Sequence, residues 1–109
     1  MAEGWTAAYT QSAIDFILFK VESERVVSRL FEHRALLEAN PDLGQCYDPV
    51  YPAARPPFSC RFIHISDTPF TLYYLKDDDA QSIVIFCIEY QRAEPNARFS
   101  SIDWEVVDW

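Results

Sequence analysis

The sequence predicts one α+β domain with an N-terminal strand, a two-helix hairpin packed on an antiparallel β-meander, and a C-terminal tail or edge strand. Three observations predict it. A chain of 109 residues that is 50% hydrophobic and 16% aromatic fills one core but is too short for two domains. Two stretches with helical spacing follow a short β-like segment, and three runs of β-branched and aromatic residues come after them. We therefore assign residues 1–109 to a single domain, with residues 1–99 as its core and residues 100–109 as an aromatic, acidic tail.

The first strand and the first helix are predicted next to each other. The segment "WTAAYT" carries the aromatic and β-branched residues that favour a strand of about six residues. Either Thr10 or Ser12 can then cap a helix over "QSAIDFILFKVE", which has no glycine or proline. Because apolar residues occur almost all round this helix, we expect it to be buried on more than one side.

A second helix is predicted from Ser23 onwards in "SERVVSRLFEHRALLEANP". A serine cap with acidic neighbours opens it, and Asn40-Pro41 ends it, with Gly44 beyond. Its apolar residues recur at spacings of three, four and seven: Val26, Val27, Leu30, Phe31 and Leu37. We place His33, which lies between Glu32 and Arg34, on the solvent face. The two helices form an αα-hairpin.

The next segment, "DLGQCYDPVYPAARPPFS", has no periodicity and contains four of the seven prolines. It predicts a loop of roughly 15 residues, which is long for a small domain. Two interpretations stay open: a functional or mobile loop, and a proline-stiffened crossing between the helical and the sheet halves.

Three strands are predicted after this loop. The runs "CRFIHIS", "FTLYYLK" and "SIVIFCIEY" are separated by the turn signals Asp67-Thr68-Pro69 and Asp77-Asp78-Asp79, which favours an antiparallel meander. Because "IVIFCI" is apolar on both faces, the last of these strands should be central, with the helices on one side and another element on the other. The tail "SSIDWEVVDW" alternates apolar and acidic residues, which is typical of an edge strand, and a frayed helix is the alternative interpretation.

Composition excludes several classes of protein. A net charge of −8 argues against a broad basic surface, so we expect no stable binding of free nucleic acid. The three cysteines form no C-x-x-C pair, so neither a disulfide framework nor a zinc site is indicated, and we expect no metal and no cofactor. No apolar run approaches a membrane span and no secretion signal opens the chain. We therefore expect a reduced, cytoplasmic protein with no membrane partner.

The order of these elements resembles the RelE/ParE superfamily of bacterial toxins. The resemblance is carried by "YTQSAIDFI", by "ANPDLG" at the end of the second helix, and above all by "PFTLYYLKDDDAQSIVIFCIEYQRAEP"; it extends from Tyr9 to Pro95. It implies the toxin half of a type II toxin–antitoxin pair, which inhibits growth and is wrapped by a cognate antitoxin. It also implies one of two targets: mRNA cut on the ribosome in RelE-like members, or DNA gyrase in ParE-like members.

The basic residues that the resemblance implies for a ribonuclease are mostly missing. Cleavage by the ribose 2′-OH needs a proton acceptor, a cation for the developing charge, and a proton donor. Phe62, His64 and Thr71 stand where RelE-like enzymes carry lysines and an arginine. Only Arg92, followed by Ala93, matches the arginine-rich site at the end of the last meander strand. Loss of one such charge stabiliser typically costs about 3 kcal/mol in the transition state, so we expect little ribonuclease activity by that route.

Replacement groups are nevertheless present in the sequence. The candidate catalytic residues are His64 as general base or acid, Arg61 and Arg92 as cations, and Tyr90 as a phenol. The alternative interpretation is that His64 is a half-buried strand residue bonded to a neighbour, and that Arg61 and Lys76 are solvated charges at the strand edge.

Three functions are consistent with these residues. The first is a toxin that binds a protein, with gyrase as a candidate, since a chain at −8 is repelled by the anionic ribosome. The second is a divergent ribosome-dependent mRNA endonuclease that uses His64, Arg61 and Arg92. The third is an inactive binding module whose apolar groove holds a partner or the chain's own tail, with Trp104 and Trp109 buried.

Overall fold

The computed structural model describes residues 4–46, 60–90 and 106–107, in which two helices pack on one face of a six-stranded mixed sheet. The predicted α+β class is confirmed. The elements follow one another as β1 (Thr6–Thr10), α1 (Gln11–Lys20), α2 (Glu24–Ala39), β2 (Gln45–Cys46), β3 (Arg61–His64), β4 (Phe70–Asp77), β5 (Ser82–Tyr90) and β6 (Val106–Val107).

The strands are arranged in the order β2-β3-β4-β5-β1-β6. Strands β3, β4 and β5 form the predicted antiparallel meander. Strand β1 runs parallel to β5, with Ala7 opposite Ile83 and Tyr9 opposite Ile85. The prediction that β5 is a central strand is therefore confirmed. Strand β6 pairs antiparallel with β1, which confirms the edge-strand interpretation of the tail for Val106–Val107; the rest of residues 100–109 lies outside the described residues.

Both helices begin at the polar residues that the sequence offers as caps. The hydroxyl of Thr10, the last residue of β1, accepts a hydrogen bond from the backbone N–H of Ala13 at 3.3 Å, so the chain passes directly from strand to helix. Ser23 caps α2 through the backbone N–H of Val26 at 3.4 Å. Each cap satisfies an N–H group that has no partner inside its own helix.

A large apolar core lies between the helices and the sheet, and a smaller cluster of Cys60, Tyr73 and Phe86 lies on the opposite face. A β-bulge in β5 changes which of its residues face each of these two clusters. Tyr73 faces Cys87 while Tyr74 faces Ile85, so Phe86 is the extra residue of β5. That extra residue resets the alternation, and in consequence three isoleucines of β5 all belong to the helix-side core: Ile83, Ile85 and Ile88.

Two expectations about the helices are wrong. Helix α1 is buried on one side only, because Leu18 and Phe19 are 57% and 77% exposed near its C-terminal end. His33 is buried, with 6% of its surface exposed, although a solvent position was expected. Its Nδ1 donates to the backbone carbonyl of Arg29 at 2.8 Å, and this bond removes much of the cost of burying the ring. Phe31, one of the apolar residues in the spacing pattern of α2, is 39% exposed.

The segment predicted to be a loop contains a short strand near its start, β2. Gln45–Cys46 pairs antiparallel with β3, with Gln45 opposite Phe62 and Cys46 opposite Arg61. Residues 47–59 lie outside the described residues. Neither helix combines the length and the apolar character that crossing a membrane requires in the part of the chain that the structure describes.

Candidate functional site

The structure separates the three candidate catalytic residues that it describes, Arg61, His64 and Tyr90, instead of bringing them together. Arg61 and His64 both belong to β3, but they are three residues apart, and alternation along a strand sends them to opposite faces of the sheet. Tyr90 ends β5. Arg92 lies outside the described residues, so its position relative to the others stays a prediction.

Arg61 is held in a group of polar residues at the end of α2, which we call the Asp42 cluster: Asp42, Gly44, Arg61 and Lys76. The guanidinium donates to the carbonyl of Gly44 at 2.8 Å and lies 3.5 Å from the Asp42 carboxylate. Lys76 Nζ lies 2.5 Å from the same carboxylate and 3.3 Å from Asp78. The interpretation of Arg61 and Lys76 as solvated edge charges is therefore wrong, because both side chains are largely covered and both contact Asp42.

The ion pairs of the Asp42 cluster shift the ionisation of their members. The hydrogen bond from Lys76 is the main cause that holds the pKa of Asp42 below its usual range. The same bond raises the pKa of Lys76. Asp42 is exposed, and exposed ion pairs contribute little to stability because water screens them.

Gly44 and Tyr74 fix the Asp42 cluster to the sheet. The Tyr74 hydroxyl donates to the carbonyl of Pro41 at 2.9 Å and accepts from the backbone N–H of Gly44 at 3.0 Å. Burial is the main cause that raises the pKa of Tyr74, so the phenol stays protonated. A Cβ at position 44 would lie 2.7 Å from the Phe62 carbonyl oxygen and 2.8 Å from the Tyr74 hydroxyl. Only glycine fits there without a shift of the backbone.

His64 belongs to a different group, on the face away from the helices. Its Nδ1 lies 2.6 Å from the Thr71 hydroxyl, and its ring makes an edge contact with Phe62 at 5.4 Å between centroids. Thr71 on β4 faces His64 on one side and Glu89 of β5 on the other. Three polar side chains thus cross three neighbouring strands, and we call them the His64 row: His64, Thr71 and Glu89.

The burial within the His64 row is uneven. His64 is exposed and Thr71 is 1% exposed. The prediction that His64 is a strand residue hydrogen-bonded to a neighbour agrees with its contact with Thr71. The prediction that His64 is half-buried is wrong, because its side chain is exposed. His64 also lines a recess of about 250 Å³ between the start of β2 and the end of β3, whose walls include Leu43, Gln45 and Phe62.

Sequence reasoning missed Glu89 and gave Thr71 only as a substitute for an arginine. The signal for Glu89 was present, since it is the one charged residue in "SIVIFCIEY", and the alternation beyond the β-bulge places it opposite Thr71. The bulge itself carries no sequence signal that would have shown this register.

Tyr90 lies on the helix side of the sheet. It pairs with Phe70, and the two ring centroids are 4.9 Å apart, while Phe16 of α1 makes an edge contact at 5.8 Å. Because Glu89 precedes it on the strand, Tyr90 points away from the His64 row. A catalytic pairing of His64 with Tyr90 is therefore not assembled.

The His64 row can accept and donate protons but contains no lysine or arginine. Within residues 4–46, 60–90 and 106–107, no three histidine, cysteine, aspartate or glutamate side chains lie close enough together to hold a metal ion. Trp104 and Trp109, the tail residues expected to cover an apolar surface, lie outside the described residues.

No protein-family model, no curated protein and no solved structure matches this chain.

Proposed function

We propose that this chain is the toxin component of a type II toxin–antitoxin pair of the RelE/ParE kind, and that it inhibits growth by binding a protein target, with DNA gyrase as the candidate. The order of the elements supports this proposal. A strand, a two-helix hairpin and an antiparallel meander follow one another, as in the layout on which the resemblance rests.

One observation favours a protein target over RNA, namely the position of Arg61. Its guanidinium contacts the Gly44 carbonyl and the Asp42 carboxylate on the face opposite to His64. A ribonuclease needs a cation beside its general base, aimed where charge develops on the phosphorus. Arg61 serves folding instead, and the net charge of −8 opposes approach to an anionic ribosome.

The proposed toxin has a cognate antitoxin as its stable partner. Complementary charge steers association and selects partners. A chain with a net charge of −8 therefore favours an antitoxin whose contacting segment is basic.

The proposal is tested by induced expression in a bacterium together with a supercoiling assay on purified gyrase. Expression should slow growth, and the purified chain should inhibit supercoiling. His64→Ala is the informative variant, because a protein-directed toxin keeps its effect when this proton-transfer group is removed. Normal supercoiling at saturating protein, together with mRNA cut on ribosomes, contradicts the proposal.

A second candidate, the divergent ribosome-dependent mRNA endonuclease, is favoured by the contact between His64 and Thr71. A hydrogen bond at Nδ1 orients an imidazole for proton transfer. Glu89 opposite Thr71 supplies a carboxylate within the same row, and Arg92 would supply the cation. In this case His64→Ala and Arg92→Ala each abolish translation-dependent cleavage, and cleavage retained in both variants removes these residues from the mechanism.

A further inference from the structure

Two arginines of α2 contact the turn between β3 and β4, outside the two polar groups described above. Arg25 and Arg29 are about one helical turn apart, so they lie on the same side of the helix. Arg29 Nη2 donates to the Ser66 hydroxyl at 2.5 Å, and Arg25 Nη2 donates to the backbone carbonyl of Asp67 at 3.1 Å. Two guanidinium groups are thereby held beside one exposed serine.

The guanidinium of Arg29 offers more donors to the turn than Ser66 uses. Its Nη1 pairs with the Glu32 carboxylate at 2.7 Å, which leaves the edge formed by Nε and Nη2 for the turn. On such an edge two parallel N–H groups bind two oxygens of a carboxylate or a phosphate at once. Here Nη2 contacts Ser66, whereas Nε is buried and has no acceptor among the residues that the structure describes. The donor edge beside the serine hydroxyl is therefore half used.

The side chain of Ser66 is presented by a turn that is closed by its own hydrogen bonds. The backbone N–H and the hydroxyl of Thr68 both donate to the Ile65 carbonyl, at 3.2 and 2.8 Å. The Thr68 hydroxyl also accepts from the backbone N–H of Phe70 at 3.2 Å. Because Ser66 is exposed within this turn, an enzyme can reach it without unfolding the chain.

The local charges favour an oxyanion attached to the chain over a dissolved one. The carboxylates of Glu32 and Asp67 offset the two guanidinium groups, and the net charge of −8 repels anions from solution. A phosphoryl group on Ser66 does not have to approach from solution, because the oxygen that carries it already lies 2.5 Å from Arg29 Nη2.

We propose that Ser66 is a phosphorylation site and that Arg29 and Arg25 hold the phosphoryl group. The Ser66 oxygen attacks the γ-phosphorus of a nucleoside triphosphate bound to a serine kinase. The bond between that phosphorus and the bridging oxygen breaks, the nucleoside diphosphate leaves, and the hydroxyl proton passes to a base of the kinase. Two phosphoryl oxygens then accept from Nε and Nη2 of Arg29, and the third lies towards Arg25.

Phosphorylation would tie α2 to the turn between β3 and β4 more firmly than the hydroxyl does. The contact between Arg29 and Ser66 joins residues 37 apart in sequence, and the phosphoryl group adds roughly two negative charges to it at neutral pH. The inference does not rest on the proposed function, because neither a target nor an antitoxin takes part.

The test uses the full-length chain with phosphoserine introduced at position 66 during translation, beside the unmodified chain. Phosphorylation should raise the melting temperature by about 4 °C or more, since the new ion pairs form only in the folded state. In Arg29→Lys the rise should fall below about half, because an ammonium group lacks the two parallel N–H donors. Arg34→Lys is the matched control, since this arginine of α2 lies over the Tyr9 ring, and it should keep the full rise.

Phosphopeptide mapping of the chain from the cells in which its gene occurs should find the phosphoryl group on Ser66 and not on Thr68. An equal rise in melting temperature with and without Arg29→Lys would overturn the proposal. So would the absence of phosphate from Ser66 in those cells, both in growth and in starvation. Saturable stabilisation of the unmodified chain by inorganic phosphate, lost in Arg29→Lys, would assign the donor edge to a dissolved anion and overturn the proposal too.

Discussion

The Asp42 cluster and the His64 row both include a residue of β3, yet they differ in what surrounds them. Arg61 contacts a carbonyl and a carboxylate from the segment after α2, and the cluster is fastened by the buried Tyr74 hydroxyl. His64 is exposed and contacts Thr71 on the neighbouring strand. The two β3 residues lie on opposite faces, where Arg61 contacts residues of the segment after α2 and His64 stays exposed.

This difference predicts unequal costs of substitution. Changes at Gly44 and Tyr74, which fix the Asp42 cluster to the sheet, should destabilise the fold more than changes in the His64 row. The free energy of unfolding in urea measures both on one scale.

Gly44→Ala should destabilise the fold more than any other substitution considered in this comparison. The added methyl group would lie 2.7 Å from the Phe62 carbonyl oxygen. The backbone at Phe62 cannot move aside without disturbing the pairing of β2 with β3. We expect a loss of about 2–3 kcal/mol in the free energy of unfolding. Gly4→Ala is the matched control, because nothing lies within 4 Å of its added Cβ, and it should change stability by less than about 0.5 kcal/mol. Equal effects at the two glycines would contradict the close packing at Gly44.

Tyr74→Phe should have the next largest effect. The substitution removes the hydroxyl that donates to the Pro41 carbonyl and accepts from the Gly44 N–H. The buried Gly44 N–H then loses this acceptor. The expected cost is about 2 kcal/mol. Tyr90→Phe removes the hydroxyl of a tyrosine that is 46% exposed and should cost less than about 0.5 kcal/mol. If the two variants are equally stable, the Tyr74 hydroxyl does not fasten the cluster.

Substitutions in the His64 row should cost less. Thr71→Val keeps the shape of a buried side chain but removes its contact with His64, for an expected loss of about 1 kcal/mol. His64→Ala should cost less than about 0.5 kcal/mol because the side chain is exposed. Unfolding curves for the two variants, measured beside that of Tyr74→Phe, check this order. A cost for His64→Ala as large as that of Tyr74→Phe would remove the distinction between the two regions.

Asp42 should contribute a weak pH dependence to the stability of the fold. Its pKa is held below the ordinary value of 3.8, chiefly by the hydrogen bond from Lys76. The carboxylate therefore stabilises the fold above that value, and its contribution is lost as the pH falls through the lowered pKa. Asp42→Asn should be slightly less stable than the unmodified chain near neutral pH, and the two should converge in acid. Asp79→Asn, in the neighbouring turn, is the control. A difference that persists unchanged in acid would show that Asp42 acts by something other than its charge.

Sequence patterns predicted the parts of this fold that depend on local chemistry. The caps at Thr10 and Ser23, the meander turns and the central position of β5 follow from residue types and short spacings. The exposure of Leu18 and Phe19 did not follow, because which sides of a helix meet the sheet depends on where the other elements lie. The β-bulge at Phe86 was missed for the same reason.

The candidate site was predicted in part. The place of His64 on a strand could be anticipated but its exposure could not, and alternation alone could have placed Arg61 on the other face. The pairing of Arg61 with Asp42 joins segments distant in sequence and has no local signal. The catalytic role of Arg92 remains a prediction, since this residue lies outside the described residues.

Arg61 and Lys76 of the meander both contact Asp42, which supports the proposal that the chain acts on a protein and not on RNA. This proposal is tested by mapping mRNA 5′ ends in bacteria that express either the unmodified chain or His64→Ala. A toxin that binds a protein should slow growth in both strains, with no new cleavage sites within translated codons in either. Codon-positioned cuts that appear with the unmodified chain and vanish with His64→Ala would contradict it.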